Sequence, residues 1–202
     1  MNFRYEEKLK LNNKKVFYFY DWLNNKKAKN IYPDREVYSI YFDNSDFQTY
    51  FESLEGVVPR KKLRLRTYNF ENYKINNFNL ETKKTISIGR LKSSKNTYKT
   101  NQFLKSGIYM NEYGICYPKI IVKYTRSYYQ LNNIRITFDK NIEYKIFNLI
   151  NNHEVFYNKS NLVVVELKFS SIDYMKNIKL DLPFEKTRFS KYCYGIESLY
   201  NI

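Results

Sequence analysis

The sequence predicts a mainly β protein with accessory helices, whose antiparallel strands close into an eight-stranded barrel with a charged lumen. Seven segments alternate apolar and polar residues with the period of two that strands require. In most of them the polar positions carry arginine, lysine and glutamate, whereas a solvated strand face carries mixed polar residues. Because buried unpaired charge is costly, these repeated basic faces indicate an interior that an anion fills. An eight-stranded barrel has room for side chains and one small ligand.

The seven strands follow from this alternation. Successive side chains of a strand point to opposite faces, so residues at alternate positions share a face. An eighth strand is expected at residues 96–104, where the pattern is weakest. The seven strands cover residues 3–11, 36–43, 61–69, 78–88, 118–128, 133–139 and 162–170. Their polar faces hold Arg4, Glu6, Lys8 and Lys10; Lys62, Arg64 and Arg66; Glu81 and Lys83; Tyr124 and Arg126; Arg135, Thr137 and Asp139; and Glu166 and Lys168.

Four helices are predicted beside the strands, where they can cover the apolar strand faces. Apolar residues at helical spacing and capping residues mark them in the sequence. They are expected at residues 15–28, at residues 44–54 with Asn44-Ser45-Asp46 as N-cap and Gly56 as the end, at residues 143–151, and from Ser190 through Leu199.

Composition limits the class of protein. The chain has 202 residues, of which 43% are hydrophobic and 19% aromatic, so we expect one folded domain over residues 1–202 and no extensive disorder. No signal peptide and no apolar run of membrane-spanning length is visible, which favours a cytoplasmic protein. Cys116 and Cys193 are predicted to be reduced thiols. A single histidine, His153, predicted to lie on the surface, argues against a structural zinc site.

The net charge of +15 predicts a polyanionic partner: nucleic acid, an anionic membrane surface or a phosphate chain. The chain is also rich in Lys, Asn, Ile and Tyr, the residues of A/T-rich codons, and such a bias accounts for part of the lysine count. It does not account for the regular placement of the arginines on strand faces.

Eight short motifs run in order through the chain from residue 4 to residue 192. Each is weak alone, but their ordered set is specific. They are Arg4-Tyr5-Glu6-Glu7-Lys8, Val37-Tyr38-Ser39-Ile40-Tyr41-Phe42-Asp43, Arg60-Lys61-Lys62-Leu63-Arg64-Leu65-Arg66-Thr67-Tyr68, Leu80-Glu81-Thr82-Lys83, Val122-Lys123-Tyr124-Thr125-Arg126-Ser127-Tyr128-Tyr129, Arg135-Ile136-Thr137-Phe138-Asp139, Val165-Glu166-Leu167-Lys168 and Arg188-Phe189-Ser190-Lys191-Tyr192.

This set resembles the VTC domain, the polyphosphate polymerase branch of the triphosphate tunnel metalloenzyme (CYTH-like) superfamily. The resemblance implies a tunnel fold, a divalent cation that is Mn²⁺ or Mg²⁺, and transfer of the γ-phosphate of ATP to a growing polyphosphate chain. The wider superfamily opens with E-x-E-x-K. Arg4 at the first Glu position favours the VTC branch over tripolyphosphatases, thiamine-triphosphatases and tunnel-type adenylyl cyclases. VTC proteins often carry membrane segments, so a membrane-bound partner is compatible with the resemblance.

Phosphoryl transfer depends mainly on positioning and charge neutralisation, and arginine forks and lysines supply both. No nucleophile is evident, so direct transfer is expected. Six residues are expected to be catalytic: Lys8, Arg64, Arg66, Arg126, Arg135 and Lys191. Phosphate binding is assigned to these six and to Lys62, Lys83, Tyr124, Lys168 and Ser190.

The metal is assigned to glutamates, because hard cations take oxygen ligands. Glu166 is the first candidate and Glu6 the second. Glu81 is a third, and pairing with the tunnel lysines and arginines is an equally good interpretation of it.

Three other functions stay open at this stage. Hydrolysis of tripolyphosphate or a nucleoside triphosphate would use the same site with water as acceptor. A non-catalytic polyphosphate-binding module would not need the metal glutamate, so the presence of Glu166 counts against it. Nucleic-acid binding could use basic strands and exposed tyrosines, but glutamates on the same faces as the arginines argue against it, and no nucleic acid partner is expected.

Overall fold

The computed structural model describes residues 5–68, 78–87, 89–149, 157–169, 171, 173, 175, 182 and 184–202. The chain forms two compact units, and each is discontinuous in sequence. Unit 1 comprises Met1–Arg35, Tyr124–Ile142 and Ser160–Phe189. Unit 2 comprises Glu36–Lys123, Glu143–Lys159 and Ser190–Ile202. Arg4 and His153 were singled out in the sequence and lie outside the described residues.

The described residues form a mainly antiparallel β-sheet with a few helices. The strands are β1 (Tyr5–Leu11), β2 (Lys29–Asp43), β3 (Arg60–Thr67), β4 (Phe78–Ile86), β5 (Gly89–Thr97), β6 (Ile108–Met110), β7 (Gly114–Leu131), β8 (Ile134–Ile146), β9 (Tyr157–Ser160) and β10 (Val163–Phe169). The helices are α1 (Asn13–Asn25), α2 (Gln48–Glu55), α3 (Thr100–Ser106) and α4 (Lys191–Tyr200).

The strand order is β1-β10-β8-β7-β2-β3-β4-β5, with β6 paired to β7 and β9 paired to β8. The pairs β1–β10, β10–β8, β2–β3, β3–β4 and β4–β5 are antiparallel. This order begins at β1 and ends at β5, and the described pairings do not close it into a ring. The mainly β class is therefore confirmed, whereas the closed eight-stranded barrel is not.

Strand periodicity identified seven of the strands, and two other predictions were wrong. Residues 96–104 are not a strand, because β5 ends at Thr97 and α3 begins at Thr100. Residues 143–146 are not helical but continue β8, where fully buried Ile142 and Tyr144 alternate with half-buried neighbours. Residues 150–151 of that predicted helix lie outside the described part.

The predicted ends of α2 and α4 agree with the structure except at the start of α2. The N-cap of α2 is Phe47, in the left-handed conformation, and not a residue of Asn44-Ser45-Asp46. The Oδ1 atom of Asn44 nevertheless accepts from the backbone N–H of Gln48, the first helical residue, at 3.0 Å, and Gly56 ends the helix with φ of +90°. At α4, Ser190 is the N-cap, and its Oγ accepts from the Cys193 N–H at 3.3 Å. Cys193 and Cys116 are both free thiols, as predicted.

In unit 1 the apolar faces of β1, β8 and β10 pack against α1. Leu9 and Leu11 of β1, with alternate residues of β8 and β10, join Phe19 and Trp22 of α1 in one core. The ring of Phe19 stacks on that of Phe138 with centroids 6.1 Å apart. A helix thus covers the apolar strand faces in unit 1, which leaves the charged positions on the opposite face.

Unit 2 has its own core, in which apolar strand residues again pack against a helix. Ile40, Phe42, Leu63 and Leu65 of β2 and β3 pack with Leu104 of α3. The intervening positions of β2 and β3 again carry the polar residues. Among the described residues, no helix combines the length and the hydropathy needed to cross a membrane.

Candidate functional site

In unit 1 the strand register aligns charged residues across three strands. Lys8 of β1 lies opposite Glu166 of β10, and Glu166 lies opposite Thr137 of β8. Directly opposite residues of an antiparallel pair share a face, so these three side chains form one cross-strand row. Glu166 and Thr137 are both buried.

A second row lies two residues away on the same face. Glu6 lies opposite Lys168, and Lys168 lies opposite Arg135. Glu6 and Lys168 are half-buried, whereas Arg135 is exposed and its guanidinium carbon lies 6.0 Å from the ring centroid of Tyr128. Of the predicted catalytic arginines, Arg135 is therefore the one nearest to solvent.

Arg126 of β7 makes a bidentate ion pair with Asp139 of β8. The Arg126 Nε and Nη2 atoms donate to the two Asp139 carboxylate oxygens at 2.5 and 2.7 Å. Burial lowers the pKa of Arg126, but the charges of Asp139, Tyr124 and Glu166, together with the hydrogen bonds to Asp139, outweigh burial and raise it. The guanidinium also lies over the buried ring of Tyr124, 5.3 Å from its centroid.

The Glu166 carboxylate lies close to this pair. Its Oε2 is 3.1 Å from Lys168 Nζ and 4.0 Å from Arg126 Nη2. Lys8 Nζ donates to the backbone carbonyl of Phe189 at 2.8 Å. We call Arg126, Asp139, Glu166 and Lys168 the balanced cluster, because two cations face two carboxylates.

In unit 2 three cations surround the carboxylate of a buried glutamate. Glu81 of β4 accepts from Arg64 Nε at 2.8 Å and from Arg64 Nη2 at 2.5 Å, through its Oε2. Arg66 Nη1 lies 3.8 Å from the same oxygen, and Lys92 Nζ of β5 lies 2.6 Å from Oε1. We call Arg64, Arg66, Glu81 and Lys92 the cationic cluster, because three cations surround the Glu81 carboxylate.

The three cations change the ionisation of their neighbours. Burial alone would raise the pKa of Glu81, but the charges of Arg64, Arg66 and Lys92 lower it to about 2. Arg64 Nη1 also donates to the hydroxyl of Tyr41 at 2.9 Å. Burial would raise the pKa of Tyr41 as well, yet the charges of Arg64 and Arg66 hold it below its ordinary value.

The N-terminus of α4 brings further predicted phosphate ligands into unit 2. Lys62 Nζ donates to Ser190 Oγ at 2.7 Å, and Lys191 is the first residue of the helix. Lys191 contributes to the lowered pKa of Tyr41. Lys83 of β4 lies opposite Lys62 of β3. Ser190 therefore caps α4 and also accepts a hydrogen bond from Lys62.

Not every predicted site residue has the predicted environment. Glu81, the third metal candidate, is occupied by cations, which supports its alternative interpretation as an ion-pair partner. Lys92 was not predicted, because β5 was not recognised as a strand. Tyr41 and Asp139 were part of quoted motifs without an assigned role. Their positions on polar strand faces were the available signal, because Tyr41 alternates with Ser39 and Asp43, and Asp139 alternates with Thr137.

The fold family implies a divalent cation, for which Glu166 and Glu6 are the predicted ligands. They lie on one face of adjacent strands, each opposite a lysine. Among the residues described, no group of three or more His, Cys, Asp or Glu side chains converges as a metal cage. One or two carboxylates suffice for a cation that takes its other ligands from phosphate oxygens and water. The residues therefore fit a cation that arrives with a phosphate ligand.

Several solved structures share the fold of this chain. A candidate adenylate cyclase from Bacillus halodurans has a TM-score of 0.61 at 13% identity and covers 99% of this chain and 100% of its own. A conserved hypothetical protein from Pyrococcus furiosus has a TM-score of 0.57 at 15% identity, covering 94% and 99%. A candidate adenylyl cyclase from Hippeastrum, described as having a dominant triphosphatase activity, has a TM-score of 0.54 at 14% identity, covering 93% and 92%.

These identities support a shared fold and nothing further. No curated protein matches the chain. The family model of the VTC domain, in contrast, matches residues 3–114 and 88–200, two overlapping ranges that together span almost the whole chain. The ordered motifs and the charged strand faces agree with this family match. The chain therefore belongs to the VTC domain family.

Proposed function

We propose that this protein is a metal-dependent polyphosphate polymerase, which transfers the γ-phosphate of ATP to a growing polyphosphate chain. The cationic cluster carries the proposal. Arg64 and Arg66 are buried, and with Lys92 they surround the carboxylate of Glu81. Among the described residues these four side chains carry a net positive charge, and a polyphosphate chain is a matching anion. Membership of the VTC family supports this choice of substrate.

In the proposed reaction, a terminal oxygen of the polyphosphate chain attacks the γ-phosphorus of ATP. The bond to the β–γ bridging oxygen breaks, ADP leaves, and the chain grows by one phosphate. The protein contributes charge and position rather than a covalent intermediate. The proposed catalytic residues are Lys8, Arg64, Arg66, Arg126, Arg135 and Lys191. The further phosphate ligands are Lys62, Lys83, Tyr124, Lys168 and Ser190.

The arginines are suited to this role for a geometric reason. Arg126 holds Asp139 through Nε and Nη2, so its plane is fixed and its Nη1 lies outside that pair. Arg64 is fixed by Glu81 through Nε and Nη2 and by the Tyr41 hydroxyl through Nη1. Guanidinium groups fixed by buried partners lose little entropy when a phosphate oxygen binds, which is the benefit of preorganisation.

Glu166 and Glu6 are the proposed ligands of Mn²⁺ or Mg²⁺. When bound, the cation would neutralise charge that develops on the transferring phosphoryl group. Lys168 is expected to hold the Glu166 carboxylate in place, because Nζ lies 3.1 Å from Oε2. The same proposal includes three further expectations. The chain forms a single domain whose closed barrel surrounds the phosphate chain, it is cytoplasmic, and it has no nucleic acid partner.

A phosphohydrolase acting on tripolyphosphate or a nucleoside triphosphate is the second candidate. It is favoured by the structural neighbour from Hippeastrum, described as having a dominant triphosphatase activity. The same residues would bind the phosphates, and water would replace the polyphosphate oxygen as acceptor. The two activities differ in their products, so one experiment can separate them.

The test is incubation of the purified chain with ATP, Mn²⁺ and a short polyphosphate primer, followed by gel sizing of polyphosphate and colorimetry of free phosphate. Polymer longer than the supplied primer supports the polymerase. Free phosphate without polymer would replace it with the hydrolase, and neither product, with retained polyphosphate binding, would leave a binding module. Lys15→Gln, on the exposed surface of α1, is the matched control for loss of one positive charge.

A further inference from the structure

Thr137 carries a buried hydroxyl that no side chain or backbone group of the described chain satisfies. The residue has no exposed surface, and its Oγ1 has no hydrogen-bond partner among the described residues. Buried hydroxyl groups are nearly always hydrogen-bonded, because leaving one unpaired is costly. Valine would occupy nearly the same volume at this strand position without that cost. The threonine therefore indicates a partner outside the protein chain.

The position of Thr137 points to the kind of partner. It stands at the end of the cross-strand row that begins with Lys8 and continues through Glu166. Its neighbour on the same face of β8 is Asp139, which fixes Arg126. The hydroxyl thus lies on a face where two proposed phosphate ligands and the proposed metal ligand converge.

The chemistry of this face selects among ligands. A threonine hydroxyl donates one hydrogen bond and carries no charge, so it can approach an anion without adding to the cationic excess. Phosphoryl oxygens are strong acceptors, and a bond to a charged acceptor is stronger than one between neutral groups. We propose that Thr137 is a phosphate-contacting residue whose hydroxyl donates to a phosphoryl oxygen of the substrate. This inference rests on the proposed function and adds a neutral donor to its basic ligands.

The proposal makes two predictions of opposite sign for Thr137→Val. Without ligand, removal of the unsatisfied hydroxyl should raise the melting temperature by roughly 2–4 °C. With inorganic tripolyphosphate, the variant should bind roughly 10-fold more weakly than wild type, because one hydrogen bond to a charged group is lost. Both measurements are made in EDTA, by thermal melt and by calorimetry, so that neither turnover nor a metal enters the comparison.

Two further variants control this experiment. Thr137→Ser keeps the hydroxyl and should bind tripolyphosphate within about 3-fold of wild type. Thr125→Val makes the same chemical change on β7 at the position before Arg126, hence on the opposite strand face, and should leave the binding constant unchanged.

Each outcome is decisive. If Thr137→Val binds tripolyphosphate as well as wild type does, or if it melts at a lower temperature without ligand, the hydroxyl has a structural partner and the inference is wrong. If wild type itself does not bind tripolyphosphate, the proposed function fails together with the inference. Wild-type binding that only Thr137→Val weakens supports both.

Discussion

The balanced cluster and the cationic cluster are built from the same residue types, yet they compensate their charge differently. In the balanced cluster Arg126 and Lys168 face Asp139 and Glu166. In the cationic cluster Arg64, Arg66 and Lys92 surround the carboxylate of Glu81. Both clusters contain buried arginines on polar strand faces. Within the described part of the chain, the two clusters therefore differ in their number of carboxylates and not in the burial of their arginines.

This difference suggests separate tasks. An excess of buried positive charge favours an anion, so the cationic cluster is suited to hold phosphates. A cluster that is neutral without ligand has little need of an anion, but it fixes its groups in space. The balanced cluster also contains Glu166, the first candidate for the metal. We infer that the cationic cluster contributes mainly affinity, and that the balanced cluster contributes mainly position and metal binding.

The largest expected effect contrasts one arginine from each cluster. Arg126→Ala removes the bidentate partner of the buried Asp139 carboxylate and should cost about 3–5 kcal/mol of unfolding free energy. Arg66→Ala leaves Glu81 with Arg64 and Lys92 but removes the hydrogen bond from Arg66 Nε to Ser39 Oγ, and it should cost less, about 1–2 kcal/mol. Denaturant unfolding of the two variants without ligand measures both quantities.

The control for this contrast restores neutrality. A double variant, Arg126→Met with Asp139→Asn, removes both charges of the pair and should recover part of the lost stability, because no unpartnered carboxylate remains. Equal losses for Arg126→Ala and Arg66→Ala would show that the two clusters are equally compensated, and the proposed division of tasks would then fail.

The second prediction uses the pKa of Glu81. Its folded-state pKa is about 2, below the ordinary value of 4.5, so its ionised form stabilises the fold. That contribution is complete above about pH 5 and is lost as the pH falls from 4.5 towards 2, and it amounts to about 3 kcal/mol. Wild type should lose this stability across that pH range, whereas Glu81→Gln has no such carboxyl group and should not.

The measurement is the difference in unfolding free energy between wild type and Glu81→Gln at several pH values. The difference cancels the other carboxylates, which titrate in both proteins. It should shrink by about 3 kcal/mol between pH 5 and pH 2. A difference independent of pH would mean that the three cations do not stabilise the ionised form.

Strand periodicity explains how much of this could be predicted from sequence. Alternation placed Lys8 and Glu166 on polar strand faces, because side-chain direction follows from the strand itself. It could not place Lys92, because β5 reads Gly-Arg-Leu-Lys-Ser-Ser-Lys-Asn-Thr and has no apolar alternation. That strand is defined by its pairing with β4, from Phe78↔Thr97 to Ile86↔Gly89, which is a tertiary interaction.

The partner of each residue on the neighbouring strand was harder to predict than the strand face on which the residue lies. Arg126 and Asp139 meet because β7 ends at Leu131 and β8 begins at Ile134, with Asn132 in the left-handed region at φ of +48°. A two-residue turn of this kind fixes the register of the hairpin, and hence the partner of every residue. Recognition of that turn in the sequence would have predicted the ion pair.

The third prediction separates metal binding from phosphate binding. Glu166→Gln keeps the shape of the side chain but removes its charge, and polymerase activity with Mn²⁺ should fall by at least ~100-fold. Calorimetry with a short polyphosphate in EDTA should still show binding, because the cationic cluster is unchanged. Glu112→Gln, an exposed glutamate paired with Lys61, is the matched control and should retain activity. Near-normal turnover of Glu166→Gln would reject the metal assignment.

The smallest effect concerns Tyr41, which reports the field of the cationic cluster. Burial raises the pKa of Tyr41, but the charges of Arg64, Arg66 and Lys191 together lower it by more than burial raises it. Tyr41 should therefore ionise at a pH below the ordinary tyrosine value. Tyr192, whose ring stacks on Tyr41, is a built-in reference, because burial and its hydrogen bond to Asp43 raise its pKa. Carbon-13 NMR of labelled tyrosines, assigned with Tyr41→Phe, resolves the two titrations.

Ligand binding should shift the pKa of Tyr41 more than the pKa of Tyr192. Tripolyphosphate would neutralise Arg64 and Arg66, so the pKa of Tyr41 should rise when it binds, by an amount that falls with added salt. The pKa of Tyr192 should change less, because burial and the neighbouring carboxylate of Asp43 set it. If tripolyphosphate binds but leaves the Tyr41 titration unchanged, the phosphates do not contact the cationic cluster, and affinity must be assigned to other basic residues of the chain.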